Sequence, residues 1–418
     1  MTSSVLFNPT SSGGKTPPKI HWLQNVAIFA CCANLFSTAL ASIGFVSFLT
    51  MFVWLWFSSD RQVFNTANFP HAVAWGIALY IGWQIVGLIY TEATLSYALK
   101  NIFTERKIVY ILPLVLIFTD EQPKIRFLRA FLLTCIAGLM ISFALTVPAL
   151  NPDMRFRAAA VLHSHATQGM AFAMAAFLSV WLGHRQVSKN VKYMFYALAL
   201  AFSLNIALVT PGRSGYVVYI ILFAWSFFIR LGIKGLLVGG FASVVLASSA
   251  FYLSPSINDR VMLGVTEAQN YATDTTETSL GRRMVMYSTT MDMIREHPIL
   301  GVGTGGYKQF FSAMAAQRYT GWRAQPFDDP HNQYLFVWAE NGIVGLATFL
   351  LMLFVIWRKC NASDIYGKMA AGCLLAWCAT SLFSGHFRTF PEGHLIAFVI
   401  GILMVARSPG STLHLQKH

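Results

Sequence analysis

Charged side chains are scarce in this sequence. Asp, Glu, Lys and Arg together make up 11% of the 418 residues, whereas apolar residues make up 56%. A soluble globular domain normally carries about 25% charged residues. We therefore expect an integral membrane protein whose surroundings are the lipid bilayer, with no nucleic acid partner.

Signals of cleavage and of oxidation are also missing. The N-terminal segment MTSSVLFNPTSSGGKTPPKI has no small-residue cleavage site after a short apolar core, so we interpret it as a retained cytoplasmic tail. Five of the six cysteines fall within apolar runs, and Cys360 falls in a predicted inside loop. No predicted outside loop therefore has a thiol pair to oxidise.

Long apolar runs are what the sequence has in abundance. About twelve of them are long enough, or nearly so, to cross a hydrocarbon core of about 30 Å as helices. They are residues 22–40, 42–58, 71–91, 108–119, 127–149, 167–183, 193–210, 216–230, 235–253, 342–357, 368–384 and 395–406. The fourth and twelfth are short, which leaves a count of about ten or eleven as the alternative. The pattern predicts an all-α, polytopic helical membrane protein.

The predicted organisation places the N-terminus in the cytoplasm. With that orientation, the inside connections HRQVSKNVK, RLGIK and WRKCNASDIYGK each carry basic residues, as the positive-inside rule requires. The parts are a tail (1–21), nine spans (22–253), one large periplasmic loop with surface helices (254–332), a re-entry segment with three spans (333–406) and a cytoplasmic tail (407–418).

Basic residues are nevertheless frequent on the predicted outside, in a chain of net charge +13. Positive charge on the translocated side opposes the orientation bias, so we expect it to serve an anionic ligand there. Contact with anionic lipid headgroups is the alternative. The residues concerned are Arg155, Arg157, Arg213, Arg260, Arg282, Arg283, Arg295, Lys308, Arg318, Arg323 and Arg388.

The turn TPGRSG, residues 210–215, presents Arg213 between two predicted spans. Proline and glycine stiffen such a reversal, so the guanidinium would project from a fixed backbone beside the lipid interface. An interfacial arginine that only reaches toward water is the alternative.

A surface helix is predicted over RRMVMYSTTMDMIREHP, with Met284, Tyr287, Met291 and Ile294 along one face and a stop at His297-Pro298. Amides at its start and an arginine fork favour an anion. Because adjacent residues point about 100° apart, only one of Arg282 and Arg283 is expected to face a site. We prefer Arg283, which shares a face with Tyr287; a solvated charged face is the alternative. GVGTGG, which follows, is interpreted as a flexible, close-packed turn.

The stretch DDPHN, residues 328–332, precedes the return to the membrane. A neutral histidine is able to take a proton from a hydroxyl, which makes His331 a candidate general base. Asp328 or Asp329 would orient its imidazole, with Asn332 as a further candidate. The alternatives are an interfacial histidine and an Asp-His metal site, although neither HExxH nor DxD spacing occurs in a suitable loop.

These motifs, in this order, resemble those of the O-antigen ligase and polymerase superfamily of bacterial envelope glycosyltransferases. The matching stretches are TPGRSGY, SLGRRMVMY followed by HPILGVGTGGY, and DPHNQYLFVWAENGIVGL, within about residues 200–350. The resemblance implies a GT-C-type helical glycosyltransferase in the bacterial inner membrane, with its active site facing the periplasm. Tyr287 stands where the family often has tryptophan.

The resemblance also implies the reaction. A glycan on undecaprenyl pyrophosphate would be the donor and the lipid A-core oligosaccharide the acceptor, with inverting, metal-independent transfer and no cofactor. Arg213 and Arg283, or Arg282 one position earlier, would hold the pyrophosphate, and His331 would be the base. Chain length and the single large loop favour a ligase. The alternatives are an O-antigen polymerase, a protein-glycosylating member, and a non-enzymatic transporter of lipid-linked glycan.

Overall fold

The computed structural model describes residues 17–58, 61, 64, 66, 69–147, 160–209, 212–253, 255–270 and 277–404. Every regular element within these ranges is a helix, which confirms the all-α prediction. The α-helices are α1 Pro18–Ala33, α2 Thr38–Phe57, α3 His71–Val86, α4 Leu95–Glu105, α5 Ile111–Ile117, α6 Glu121–Ala144, α7 His165–His184, α8 Lys189–Leu204, α9 Arg213–Leu231, α10 Ile233–Leu253, α11 Pro255–Asn270, α12 Ser279–Glu296, α13 Tyr307–Arg318, α14 Gln333–Asn361, α15 Ile365–Thr380 and α16 Phe390–Leu403. Arg155 and Arg157 lie outside the described residues. The same holds for residues 1–16 of the predicted N-terminal tail and for the whole predicted C-terminal tail, 407–418.

Each predicted apolar run coincides with a helix, but the helices differ in length. Within the described ranges, six are long and apolar enough to cross a membrane: α2, α6, α7, α8 with its π-helical extension to Val209, α9 and α14. Three shorter apolar helices are His71–Val86, Ile233–Val245 and Phe390–Leu403. The fourth predicted span, residues 108–119, begins in a 3-10 helix, Arg106–Tyr110, and continues as the seven-residue helix α5. Helix α5 is only about 10 Å long and too short to cross a bilayer alone. The count of about twelve spans remains a prediction.

Contacts between the connections of the helices define one end of the bundle. The Asn34 side chain after α1 donates to the Pro391 carbonyl at the start of α16, at 2.7 Å. The Gln333 amide at the start of α14 donates to the Ser381 carbonyl after α15, at 2.9 Å. We call this the outer end, after the predicted orientation, and the opposite one the inner end.

Helix α14 consists of two parts that meet at Gly342. The backbone of Gly342 has φ +65° and interrupts the helix, so residues 333–341 form a re-entry helix before the longer spanning part. A Cβ atom on Gly342 would lie 1.9 Å from the Ile299 carbonyl oxygen. Only glycine therefore fits, because the conformation is left-handed and the neighbouring backbone leaves no room.

The break is braced by the buried carboxylate of Glu340, which organises the GVGTGG segment. The Asn101 side chain donates to both Glu340 oxygens at 2.9 Å, and the amides of Gly305 and Tyr307 donate to Oε1 at 3.1 and 3.4 Å. Residues 301–306 are all buried, so the prediction of a close-packed turn is confirmed, while its flexibility stays a prediction.

The predicted surface helix is present as α12 and ends at Glu296, next to the expected stop at His297. Its packed face differs from the prediction by about one residue. Of the predicted face, Ile294 is buried, Tyr287 and Met291 are half-buried and Met284 is exposed. Three further side chains are buried, those of Val285, Met286 and Met293. The helix packs against α14, α13 and α11, and these partners decide which side chains are buried.

Helices α7 and α9 touch through two glycines near the outer end. A Cβ atom on Gly215 would lie 2.8 Å from the Cα of Gly169, and one on Gly169 would lie 2.9 Å from the Cα of Gly215. The two backbones approach this closely because neither residue has a side chain. This contact fixes the start of α9, where Arg213 is located.

Replacing Gly342 by alanine is expected to destabilise the fold. The left-handed backbone alone costs roughly 1–3 kcal/mol for a non-glycine residue, and overlap with the Ile299 carbonyl adds to it. Thermal unfolding of purified protein in detergent, followed by tryptophan fluorescence, should give a lower Tm. Gly82→Ala is the matched control, because a Cβ atom there meets nothing within 4 Å. Equal melting temperatures for the two variants would contradict this description of the break.

Candidate functional site

Arg213 is the first residue of α9, after the N-cap Gly212. Thr210 and Pro211 lie outside the described residues, and so does the expected stiffening of the turn by proline. The next residue, Ser214, is buried, and its hydroxyl lies 2.9 Å from Nε2 of the buried His386. This buried hydrogen bond holds the first turn of α9 while the Arg213 side chain is exposed.

Arg283, in the first turns of α12, lies near Arg213. Burial lowers the pKa of Arg283, and the positive charge of Arg213 lowers it further. Among the described residues, neither arginine forms an ion pair with a carboxylate. Two guanidinium groups that repel each other without an acidic partner form a cationic surface to which an anion would bind favourably.

Arg282 is directed elsewhere. Its guanidinium forms an ion pair with Glu277 and lies 5.8 Å from the ring centre of Phe327. The adjacent residues in the helix therefore have different surroundings, as their angular separation requires. Arg283 faces Arg213, and Arg282 faces an acid.

Two amides at the start of α12, where an anion is expected to bind, are occupied by side chains of this chain. The helix begins at Ser279, and its N-cap Thr278 accepts a hydrogen bond from the Gly281 amide at 3.0 Å. The Leu280 amide donates to Glu267 Oε2 at 2.9 Å. These donors already have partners, and the acidic side chains beside them disfavour a second anion.

Tyr287 connects the arginines with the stretch before α14. Burial raises the pKa of Tyr287, while the charge of Arg283 and a hydrogen bond with the Asn332 side chain lower it to a smaller extent. The Tyr287 hydroxyl also donates to the Leu382 carbonyl at 3.2 Å. Asn332 is the N-cap of α14, where its Oδ1 accepts from the amides of the first turn. Arg213, Arg283, Tyr287 and His331 are called the outer cluster. Helix α12 holds one side of it, and the start of α14 holds the other.

His331 has an unusual backbone and a fixed ring. Its φ angle is +52°, which is the left-handed region, and its side chain is 50% exposed. The Asp329 carboxylate accepts from the His331 amide at 2.7 Å and lies 3.0 Å from Nδ1 of the ring. Asp329 therefore orients the imidazole so that Nε2 is left to meet a ligand.

The ionisation of Asp329 follows from these contacts. Burial alone would raise the pKa of Asp329, but hydrogen bonds from His331 and the positive charge of Arg388 outweigh it, so the pKa is lowered. An unperturbed aspartate titrates at about 3.9. The carboxylate is thus ionised at neutral pH, and the contact with His331 is lost only as the pH falls through this lowered pKa.

Asp328 does not support His331. Its carboxylate lies 2.8 Å from Nζ of Lys308, an ion pair at the surface. Of the two acids that precede the histidine, the structure brings only Asp329 to the ring. Among the described residues, no group of three or more His, Cys, Asp or Glu side chains is placed to hold a metal ion.

Arg388, outside the three motifs, is a further basic residue, and its charge acts on Asp329. Its guanidinium lies 3.8 Å from the ring centre of Phe336 and 3.7 Å from Glu105 Oε1. The buried Lys107 donates to the backbone carbonyl of Arg388 and so fixes this loop. The sequence marked Arg388 only as an outside charge, because its partners come from distant segments; its position directly before α16 was the one available signal.

The region that carries this geometry is similar to known proteins. Residues 198–350 match the family described as O-antigen ligase. This matched segment makes up just over a third of the chain. An O-antigen ligase of Salmonella typhimurium is 24% identical over 210 residues, which cover 49% of this chain and 48% of that protein. An uncharacterized protein of Haemophilus influenzae is 26% identical over 270 residues, or 61% of this chain and 65% of that protein.

Among the described residues, six helices of spanning length indicate a multi-pass membrane protein. The similarity covers less than two thirds of the length of either relative. Arg213, Arg283 and His331 all lie inside the matched family region, whereas Arg388 and Lys107 lie outside it.

Removing the Asp329 carboxylate is expected to change the reactivity of His331. The Asp329 carboxylate covers Nδ1 of the ring, so Asp329→Ala leaves both ring nitrogens open to diethyl pyrocarbonate and should increase the rate of His331 modification several-fold. Mass spectrometry of peptides measures that rate. Asp328→Ala is the control and should leave it unchanged, because Asp328 pairs with Lys308. A faster reaction in both variants, or in neither, would contradict the assignment of Asp329.

Proposed function

We propose that the protein is an O-antigen ligase. It transfers a preassembled glycan from undecaprenyl pyrophosphate to the lipid A-core oligosaccharide at the periplasmic face of the bacterial inner membrane. The observation that carries this proposal is the meeting of Arg213 and Arg283, without an acidic partner among the described residues, beside the segment that contains His331.

The two arginines would bind the pyrophosphate of the donor. A guanidinium matches phosphate geometry with two parallel donors, and two of them offset the charge that develops on a leaving pyrophosphate. Arg213 starts a helix of spanning length, and Arg283 belongs to a helix that packs on the bundle from outside it. The pyrophosphate would then sit at the rim of the membrane, with its polyprenyl chain among the spans.

His331 would act as the general base. Its Nδ1–H donates to Asp329, so the lone pair of Nε2 is available for the proton of an acceptor hydroxyl. The acceptor oxygen forms a bond to the anomeric carbon on the face opposite the pyrophosphate, and the bond from that carbon to the pyrophosphate oxygen breaks. The electron pair leaves with the pyrophosphate, and the configuration at the anomeric carbon is inverted. The ionised Asp329 stabilises the imidazolium that forms.

The proposed transfer needs neither a metal nor another cofactor, because the arginines take the role that a divalent ion has elsewhere. A polymerase would use the same donor clamp and base with a second lipid-linked glycan as acceptor. A ligase and a polymerase therefore have to be distinguished by the product that cells make. A transporter would need no oriented base, and the Asp329–His331 pair favours an enzyme.

His331→Asn is expected to abolish ligation while preserving the fold. Asparagine tolerates the left-handed backbone of this position, so the change removes the base without adding strain. Loss of a general base costs about a hundred- to ten-thousand-fold in rate. Electrophoresis of lipopolysaccharide from cells that make only this variant should show core-length molecules, with full-length glycan accumulating on the polyprenyl carrier.

His297→Asn is the matched control for this experiment. His297 lies at the C-terminal end of α12, where its ring packs edge-on against Phe310. This variant should give normal polymer-capped lipopolysaccharide. Polymer-capped product from the His331 variant would reject the base assignment, and core capped by a single repeat would indicate a polymerase instead of a ligase.

The two adjacent arginines should differ in their effect. Arg283→Gln is expected to lower kcat/KM for glycan transfer by about 10²–10³-fold, because one donor of the pyrophosphate clamp is lost. Arg282→Gln should have little effect, since Arg282 pairs with Glu277. Arg283→Lys should fall between wild type and Arg283→Gln, because it keeps the charge without the planar fork. The measurement uses purified enzyme with lipid-linked donor, and an equal loss for Arg282→Gln would exclude the proposed clamp.

A further inference from the structure

A separate cavity lies between α7, α8 and α9, toward the inner end. Its volume is about 170 Å³, and its walls are mainly apolar, including Ala176, Phe177, Ala199, Leu222 and Phe223. A cavity of about 150 Å³ with such walls admits a benzene-sized apolar molecule. The space therefore suits a segment of a hydrocarbon chain.

The mouth of this cavity is cationic. His184 at the end of α7 and Arg230 in the last turn of α9 both line it. Arg230 and Lys192 lie close enough to His184 to interact electrostatically with its ring. The Tyr196 hydroxyl lies 2.6 Å from His184 Nδ1 and fixes that ring, while the Lys192 ammonium is 5.9 Å from the Tyr196 ring centre.

No acidic residue balances these charges within the part of the chain that the structure describes: neither Arg230 nor Lys192 forms an ion pair with a carboxylate there. An apolar cavity whose opening has unneutralised cations is complementary to an anionic lipid, with the chain in the cavity and the phosphate at the opening.

We propose that this cavity is a binding site for an anionic phospholipid of the inner leaflet, which seats part of one acyl chain against α7, α8 and α9 and its phosphate on Arg230 and Lys192. The site is separate from the proposed active site and does not depend on it.

The position of the cations selects a phospholipid over the polyprenyl donor. Arg213 begins α9 and Arg230 lies in its last turn, so about 25 Å of helix separates them at 1.5 Å per residue. That distance approaches the hydrocarbon thickness of a bilayer, about 30 Å. A lipid whose pyrophosphate rests on Arg213 has its headgroup in the other leaflet, so a headgroup at Arg230 belongs to a different molecule.

The test is a titration of the lipid-depleted full-length protein, followed by native mass spectrometry. The probes are dioleoyl phosphatidylglycerol, dioleoyl phosphatidylcholine with the same chains, and undecaprenyl phosphate. Phosphatidylglycerol should bind most tightly. The double variant Arg230→Gln/Lys192→Gln should weaken its binding by about twenty-five-fold, at roughly fivefold for each cation, and bring it to the level of phosphatidylcholine.

The control double variant Lys189→Gln/Lys234→Gln removes the same charge from nearby helix starts that do not line the cavity, and it should change binding less than about twofold. A second pair of variants tests the chain. Ala199→Leu fills the cavity and should weaken both phospholipids, whereas Leu200→Phe, on the exposed face of α8, should weaken neither.

Three results would overturn the proposal. One is equal binding of phosphatidylglycerol and phosphatidylcholine to the wild-type protein. Another is an equal effect of the two double variants, which would make the attraction a general property of the basic surface. The third is tighter binding of undecaprenyl phosphate with the same sensitivity to Arg230→Gln/Lys192→Gln, which would assign the cavity to polyprenyl lipid.

Discussion

The arrangement of the outer end depends on one buried carboxylate. Glu340 accepts hydrogen bonds from Asn101 of α4 and from the amides of Gly305 and Tyr307, and it belongs to the re-entry part of α14. A buried carboxyl group is tolerated only when hydrogen-bond partners such as these surround it. The three chain segments are therefore held together by the requirement to satisfy this one group, and the re-entry helix that begins next to His331 is held with them.

The fold holds two positive charges close together at the outer end, and their repulsion has to be offset by other contacts. Arg213 and Arg283 repel each other, while a buried Ser214–His386 hydrogen bond holds one helix start and the packing of Val285 and Met286 holds the other helix. Electrostatic groups fixed before a ligand arrives need no reorganisation when charge develops. The repulsion in the empty protein thus becomes attraction for an anion, which is the physical basis of the proposed clamp.

Much of the helix order could be predicted from the sequence, because apolar runs of membrane length leave few alternatives in a chain with so little charge. The lengths and the packed faces of individual helices were harder to predict. Helix α5 is shorter than the predicted span, and the packed face of α12 differs from the predicted one because its partner α14 is distant in sequence.

The site was predictable only in outline. The angle between adjacent helical residues predicted that only one of Arg282 and Arg283 would face a ligand, and the face shared with Tyr287 favoured Arg283. The partners of Arg282, which are Glu277 and Phe327, could be identified only from the structure. The choice between Asp328 and Asp329 depends on Lys308, which takes the first acid. Partners such as Asn101 of Glu340 and Lys107 of the Arg388 loop are contributed by tertiary packing, which no local pattern encodes.

The contact between Gly169 and Gly215 has a consequence for how a lipid reaches the outer end. Where two backbones touch, the hydrocarbon width of even one chain does not fit, so the seam between α7 and α9 is closed at that depth. A long-chain lipid anchored at Arg213 has to descend along a different flank of α9. A lipid can therefore reach Arg213 from only part of the circumference of α9. The closed seam also separates its chain from the cavity that α7 and α9 line toward the inner end.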